Sequence, residues 1–248
     1  MNVIILAAGY ATRLHPLTLN KAKPLLEVAG KPIVEWVLDN LAPVPGLETI
    51  YVVTNNKFAK DFQVWAKDYT NRHPSLKLKI VNDGTTSDAD KLGAIGDINL
   101  VITREELTGD ALLIVAGDNL FSEPLTDFVA NAQGAKAVLA TYDVGDLEAV
   151  KKYSNITTDS EGIITDFEEK PPKPRDTLAG IALYYFSRET VPMFTTYTAA
   201  GNNPDQPGRF IQWLYKQTPV KTEQIKGMWF DIGSKETLEE ANKAFARS

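Results

Sequence analysis

A chain of 248 residues with 44% hydrophobic and 23% charged side chains can bury a sizeable core and has the composition of an ordinary soluble globular protein. The absence of cysteine excludes disulfides, thiolate metal centres and cysteine nucleophiles, and fits a cytoplasmic location. A formal net charge of −6 argues against nucleic acid as a partner, and the opening MNVII is too short, and lacks the basic flank, for a signal peptide or membrane span. Any phosphate binding must therefore come from local clustering of Arg13, Lys21, Lys23 and Lys31.

In chain order, NVIILAA (residues 2–8) reads as strand, PIVEWVLDNL (32–41) as helix, TIYVVTN (49–55) as strand and FAKDFQVWAKDY (58–69) as helix. KLKIVND (77–83) follows as strand, LGAIGDINLVITREEL (92–107) as mostly helix and ALLIVAGDN (111–119) as strand. The continuous Val/Ile/Leu runs suit strands covered on both faces. The alternation predicts an α/β, doubly wound sheet, with ligands outside the carboxyl ends of its strands. That places residues 8–16, 82–93 and 117–119 around one crevice. From about residue 136 the texture changes. KAVLATYDV, NITTDSEGIITDFEEK and LAGIALYYF read as shorter strands with a turn at Ser160-Glu161-Gly162, an antiparallel portion. SKETLEEANKAFAR (234–247) closes the chain as a helix with Ser234 at its N-cap. No repeat, low-complexity tract or linker interrupts the sequence, which predicts one domain with a mixed sheet.

The stretch LAAGYATRLHPLT (6–18) leaves the first strand in small residues. Gly9 lets backbone amides approach an anion, Ala8, Ala11 and Thr12 keep the loop narrow, and Arg13 can meet phosphate oxygens with two donors. It is neither a Walker loop nor a dinucleotide G-x-G-x-x-G, and alone it reads most simply as a strand–helix connection. Its context is more specific. VIILAAGYATRLHPLTLNKAKPLLEVAGKPIVEW, with Thr12-Arg13-Leu14, Pro16-Leu17-Thr18, Lys23-Pro24 and Lys31-Pro32 in order, resembles the signature of sugar-1-phosphate nucleotidyltransferases, the nucleotide-sugar pyrophosphorylases. Where that family has a second glycine in the loop, this chain has Ala8 or Ala11.

The resemblance implies a Rossmann-like fold of the nucleotide-diphospho-sugar transferase type. It implies that Leu6, Ala8 and Gly9 surround the nucleotide, while Arg13 and Lys23 grip the triphosphate and act in catalysis. Asp118, in the G-D at the end of ALLIVAGDN, and Asp231, in W-x-D-x-G, match the family's metal ligands for Mg2+, an ion that takes a few carboxylates with phosphate oxygens and water. His15 and His73, the two histidines, form no metal site without cysteines and read as surface or loop residues. On the sugar side Glu169-Lys170-Pro171 and Ala179-Gly180-Ile181 match the elements that bind the sugar phosphate. Glu169 would accept from hydroxyls, Lys170 would meet the phosphate, and Gly180 would let the sugar lie against backbone. Ser154 stands where many relatives have glycine. On the base side Asn82, Asp83 and Gly84, with Leu92 and Gly93 at a helix start, resemble the base-recognition segment. Asp88 sits where relatives carry a polar residue, and such acceptors suit a uracil or thymine N3–H or the exocyclic amine of cytosine, which leans to a pyrimidine without choosing one.

These features together imply transfer of a nucleotidyl group from a nucleoside triphosphate, UTP or dTTP first, to a sugar 1-phosphate, with pyrophosphate released. The partners are those two substrates, with no nucleic acid or membrane, and the protein is a monomer or homo-oligomer. The chain stops where some relatives continue into a β-helix, so no fused acyltransferase is expected. Two alternatives stand beside this reading. One is a CTP-dependent cytidylyltransferase for phosphocholine, with Tyr184, Tyr185 and Trp229 as an aromatic cage. The other is a non-catalytic nucleotide-sugar-binding regulator, which would be expected to lose Lys23, Asp118 or Asp231.

Overall fold

The structure is a computed structural model that describes residues 1–246. Its contacts divide the chain into two compact units. The first holds Met1–Leu92, Val115–Thr126 and the segment from Gly227; the second holds Gly93–Ile114 and Asp127–Lys226. Neither unit is a continuous stretch, which is why no linker shows in the sequence.

The chain opens in the first unit with β1 (Asn2–Leu6), a small hairpin of β2 (Glu27–Val28) and β3 (Lys31–Pro32), then α1 (Ile33–Leu41), β4 (Thr49–Thr54), α2 (Ala59–Arg72) and β5 (Lys77–Asn82). β1, β4 and β5 form a parallel ladder with Val3 opposite Ile50 and Thr49 opposite Lys77. Val3, Ile4, Ile5, Val52 and Val53 are fully buried, as expected of parallel strands covered on both faces. α1 turns Ile33, Val34, Val37, Leu38 and Leu41 into this core at helical spacing. Its buried Glu35 carboxylate accepts from Trp65 Nε1 and Arg72 Nη2 of α2, each at 2.9 Å, so the burial of that charge is compensated. His73 caps α2 and stacks on Tyr69 with 4.3 Å between ring centroids. It is a loop residue just past the helix, as expected.

The chain then enters the second unit with α3 (Ala94–Arg104), and the division between units falls inside β6 (Leu112–Ala116). β7 (Asn119–Phe121) belongs to the first unit. The second unit resumes with α4 (Thr126–Ala132), β8 (Ala137–Asp143), α5 (Leu147–Val150), β9 (Ser154–Thr158), β10 (Ile164–Glu169), β11 (Leu178–Phe186), α6 (Met193–Ala199), α7 (Pro207–Leu214) and β12 (Val220–Gln224). Here the predicted antiparallel portion appears. β9 and β10 form a hairpin whose turn carries Gly162 at φ 78°, β11 runs antiparallel to β8 and β9, and β12 runs parallel to β8. Phe194 and Phe210 stack at 3.9 Å, with Phe186 and Tyr197 edge-on to Phe210. The mixed α/β sheet class predicted from the sequence is the one observed.

β13 (Trp229–Asp231) and α8 (Lys235–Phe245) return to the first unit. Ser234 is the N-cap of α8, in a capping box closed by the Thr237 side chain. The helix seats Ala241 and Phe245 against Leu14, Leu26, Val28 and Ile33. Arg247, the last residue of the predicted helix, lies outside the described residues. No described helix is long and apolar enough to cross a membrane.

Gly93 shows why a special residue begins α3. It sits at φ 79°, ψ 159°, and a Cβ there would lie 2.6 Å from the Pro204 oxygen and 2.7 Å from Asp205 Cα. Both neighbours are backbone, so neither yields easily. Gly93→Ala should cost at least about 2 kcal/mol, read as a lower urea midpoint with an unchanged slope.

Candidate functional site

In the first unit the opening loop is held from two sides. Asn55 Nδ2 donates to the Ala8 oxygen at 2.8 Å, and Thr18 Oγ1 donates to the Ala11 oxygen at 2.8 Å. Ala11 stands at φ 48°, a left-handed conformation that costs a non-glycine residue about 1–2 kcal/mol. This is where a loop glycine would serve, and the Thr18 bond holds the alanine there instead. Gly9 is exposed, and a Cβ there would meet nothing within 4 Å. Packing therefore does not require this glycine, and its face stays open. Arg13, in the turn Thr12–Leu14, is exposed and meets no acidic side chain among the described residues.

Lys23 is the centre of the arrangement. Its ammonium forms an ion pair with Asp118 and donates to the Ile232 oxygen at 2.9 Å. The backbone around both aspartates is paired. Ile232 N donates to the Asp118 oxygen at 3.1 Å, and Asp231 stands opposite Asn119 in the β7–β13 ladder. Gly117 N donates to the Leu6 oxygen at 2.8 Å, joining this group to the end of β1. Leu6, Lys23, Asp118 and Asp231 are thus gathered, though 225 residues separate the first from the last (231 − 6). Among the described residues no group of three or more His, Cys, Asp or Glu side chains could hold a metal ion unaided.

Two lysines of the expected cluster go elsewhere. Lys31 pairs with Asp39 and lies 3.4 Å from the Trp36 ring centre, and Lys21 lies 3.5 Å from Glu27. The second K-P element is therefore spent on the hairpin and α1.

The 82–92 segment is a self-bonded loop. Asn82 Oδ1 accepts from Gly84 N at 2.9 Å, and Asp83 Oδ1 from Thr85 N at 2.7 Å. Amides of Thr86 and Ser87 donate to Asp90, holding its carboxyl down at about 2. Asp88 is exposed, 3.5 Å from Lys91. The acceptors expected to read a base thus have donors within their own loop. Tyr10 ties the loop to the opening segment, its hydroxyl 3.1 Å from Thr85 Oγ1.

In the second unit, the first two amides of α3 donate to the carbonyls of Asp205 and Pro204 at 3.3 and 2.8 Å. They are not open to an anion, and Gly93 is accounted for by close packing. Gly180 is accounted for likewise. A Cβ there would meet Ser154 Oγ at 2.5 Å, Ile156 Cδ1 at 2.9 Å and Leu139 Cδ2 at 3.0 Å, so the protein fills the space expected to admit a sugar. Ser154 is part of that fit.

Glu169, at the end of β10, is different. Burial pushes its carboxyl up to about 7, against the opposing pull of the Lys170 and Arg209 cations. Lys170 itself turns the chain at φ 51°, its amide donating to the Tyr153 oxygen at 2.7 Å. The sequence reading missed Gly208, which lies against the Glu169 carboxylate. The only signal was a glycine at the second position of a helix begun by Pro207.

The Nucleotidyl transferase family model matches residues 2–248. The chain is similar to a protein named Bifunctional protein GlmU from Methanocaldococcus jannaschii, 28% identical over 243 residues, covering 98% of this chain and 54% of that relative. The chain spans about half the length of that protein. It is also 25% identical over 245 residues to the UTP–glucose-1-phosphate uridylyltransferase AglF of Haloferax volcanii, covering 98% and 96% of the two chains. Among solved structures, a glucose-1-phosphate thymidylyltransferase described as putative, from Bacillus anthracis and in complex with sucrose, superposes with a TM-score of 0.84. It is 21% identical and covers 100% of this chain and 96% of its own. That likeness fixes the fold as the nucleotidyltransferase type.

The Glu169 carboxyl has a measurable consequence. Its folded value of about 7 lies above the ordinary 4.5, so the folded chain holds this proton more tightly than the unfolded chain. Its contribution is fully present below about pH 4.5 and is lost as the pH rises through about 7. Stability of the wild type should therefore fall relative to Glu169→Gln between those limits, measured as urea midpoints of both proteins across pH 4 to 8.

Proposed function

Since this chain belongs to the nucleotidyl transferase family, we propose that it joins a nucleoside triphosphate, UTP or dTTP, to a sugar 1-phosphate, giving a nucleotide sugar and pyrophosphate. The observation that carries the reading is the gathering of Lys23, Asp118 and Asp231 on adjoining backbone of the first unit, a chemistry suited to phosphates. An oxygen of the sugar phosphate attacks the α-phosphorus. The bond from that phosphorus to the bridging oxygen breaks, and pyrophosphate leaves with the electron pair. No side-chain nucleophile is needed. Arg13, free in its turn, and Lys23, already aligned by the Ile232 carbonyl, offset charge on the transferring and leaving oxygens. The open face of Gly9, with Leu6 and Ala8 beside it, accommodates the nucleotide phosphates. In the second unit Glu169 accepts from sugar hydroxyls and Lys170 meets the sugar's phosphate.

The residues present fit a magnesium ion. Asp118 and Asp231 supply two hard carboxylates on paired backbone, and such an ion fills its other positions with phosphate oxygens and water. When bound, it supplies Lewis-acid stabilisation of phosphate charge. The names of AglF and of the thymidylyltransferase support uridine or thymidine as the base. The lack of cysteine supports a cytoplasmic location.

A phosphocholine cytidylyltransferase finds less support. Tyr184, Tyr185 and Trp229 are each at most 8% exposed, and Trp229 Nε1 is bonded to Asn119 Oδ1 at 2.8 Å, so they are core residues of their units. Retention of Lys23, Asp118 and Asp231 likewise speaks against a silent regulator.

Pyrophosphate release, with five nucleoside triphosphates against a panel of sugar 1-phosphates and phosphocholine, tests the reading. Release is expected with a sugar 1-phosphate and UTP or dTTP, and none in excess chelator. CTP with phosphocholine as the sole productive pair would overturn it. Asp118→Asn should lower turnover by about 10² or more with an unchanged circular dichroism spectrum. Lys23→Ala should lower kcat more than triphosphate affinity, because its charge matters most in the transition state.

A further inference from the structure

Glu169 reaches its place because residue 208 has no side chain. Gly208 is the second residue of α7, after Pro207. An ideal Cβ there would overlap Glu169 Oε2, and would lie 2.6 Å from Cδ and 3.3 Å from Oε1. The backbone gives no other reason for glycine, since Gly208 is absent from the positive-φ glycines. Glycine in a helix costs about 0.5–1 kcal/mol relative to alanine, so the position gives up helix stability to admit a carboxylate. The groups facing that carboxylate are Lys170 beside it on the chain, Arg209 on α7 and Tyr184 on β11. Among the described residues it accepts no hydrogen bond. Its acceptor capacity is held in reserve.

We propose that Gly208 is a positioning residue for the sugar-phosphate acceptor: its bare Cα is the seat that holds the Glu169 carboxylate where sugar hydroxyls donate to it. This rests on the reading of Glu169 as a sugar ligand. A methyl group at 208 displaces the end of a flexible side chain rather than backbone, so the fold survives while the carboxylate moves. A displacement of this size at a substrate-positioning group costs one to two orders of magnitude.

The test is a mutant cycle with two independent readouts. G208A should keep the thermal midpoint of the wild type or exceed it. It should raise KM for the sugar 1-phosphate at least about tenfold, with KM for the triphosphate within about twofold. Adding Glu169→Asp, one methylene shorter, to G208A should recover part of that loss. Adding G208A to Glu169→Ala should cost nothing further, since the group it displaces is gone. The second readout is ¹³C NMR titration of glutamate-labelled protein, with the Glu169 signal assigned by its loss in Glu169→Gln. The midpoint near 7 should fall by at least one pH unit in G208A as the carboxyl moves toward water. An unchanged midpoint with an unchanged KM would overturn the proposal, as would a G208A defect that persists in full beside Glu169→Ala. A midpoint that falls while KM holds supports the seat at Gly208 and overturns instead the reading of Glu169 as the sugar ligand.

Discussion

The ammonium of Lys23 ties together three stretches of the first unit that are far apart in sequence: its own turn, the loop bearing Asp118, and Ile232 just past β13. The side chain is only 15% exposed and that of Asp118 22%, so the pair sits at a depth where solvent screens charge incompletely. Its alignment is fixed by a carbonyl that cannot move without the β7–β13 ladder. That is the condition electrostatic catalysis requires, a charge oriented before the substrate arrives and needing no reorganisation when charge develops. The same bond that organises the fold therefore presents a cation to whatever anion enters.

Glycines separate structural need from available space. Gly93 and Gly180 are required by atoms of the protein within 3 Å of the missing Cβ, and Gly9 by none. A motif match treats all three alike, because each falls in an element that the family resemblance singles out. Of these three, only the opening-loop glycine leaves its face clear. Gly180 instead forms a mutual fit with Ser154, whose Oγ would lie 2.5 Å from a Cβ at 180.

Strands and helices were legible because their signals are local. The apolar runs of β1, β4 and β6 and the 3.6-residue spacing of α1 need no knowledge of the rest of the chain, and Ser234 announces α8 three residues before its box closes. The gathering of Lys23, Asp118 and Asp231 was legible only as ordered motifs, since no local rule relates residues so far apart. The fate of Lys31 was not legible at all: its pairing with Asp39 and Trp36 depends on how a two-residue hairpin meets a helix. Nor was the division into two units, because each is assembled from separate stretches. Gly208 escaped for a similar reason. Its purpose is an atom 39 residues away in sequence (208 − 169), on another element.

The polar groups of the two units differ in one respect that bears on specificity. In the first unit the Asn82–Asp90 loop spends its acceptors on its own amides, so its shape is held from within. In the second unit Glu169 is half-buried and accepts no hydrogen bond among the described residues, and desolvation raises its carboxyl to about 7. A site of this kind discriminates by what it lacks. Under the proposed reaction, an acceptor with hydroxyls would satisfy the carboxylate, whereas one without them would leave it unpaired. Sites built around a buried hydrogen-bonding group reject analogues lacking the partner by about 10⁴–10⁵, far more than a matched apolar pocket achieves. Under the proposed reaction, preference for a sugar over a choline-like phosphate therefore follows from a single unsatisfied carboxylate, and no aromatic cage or second recognition element is needed to produce it.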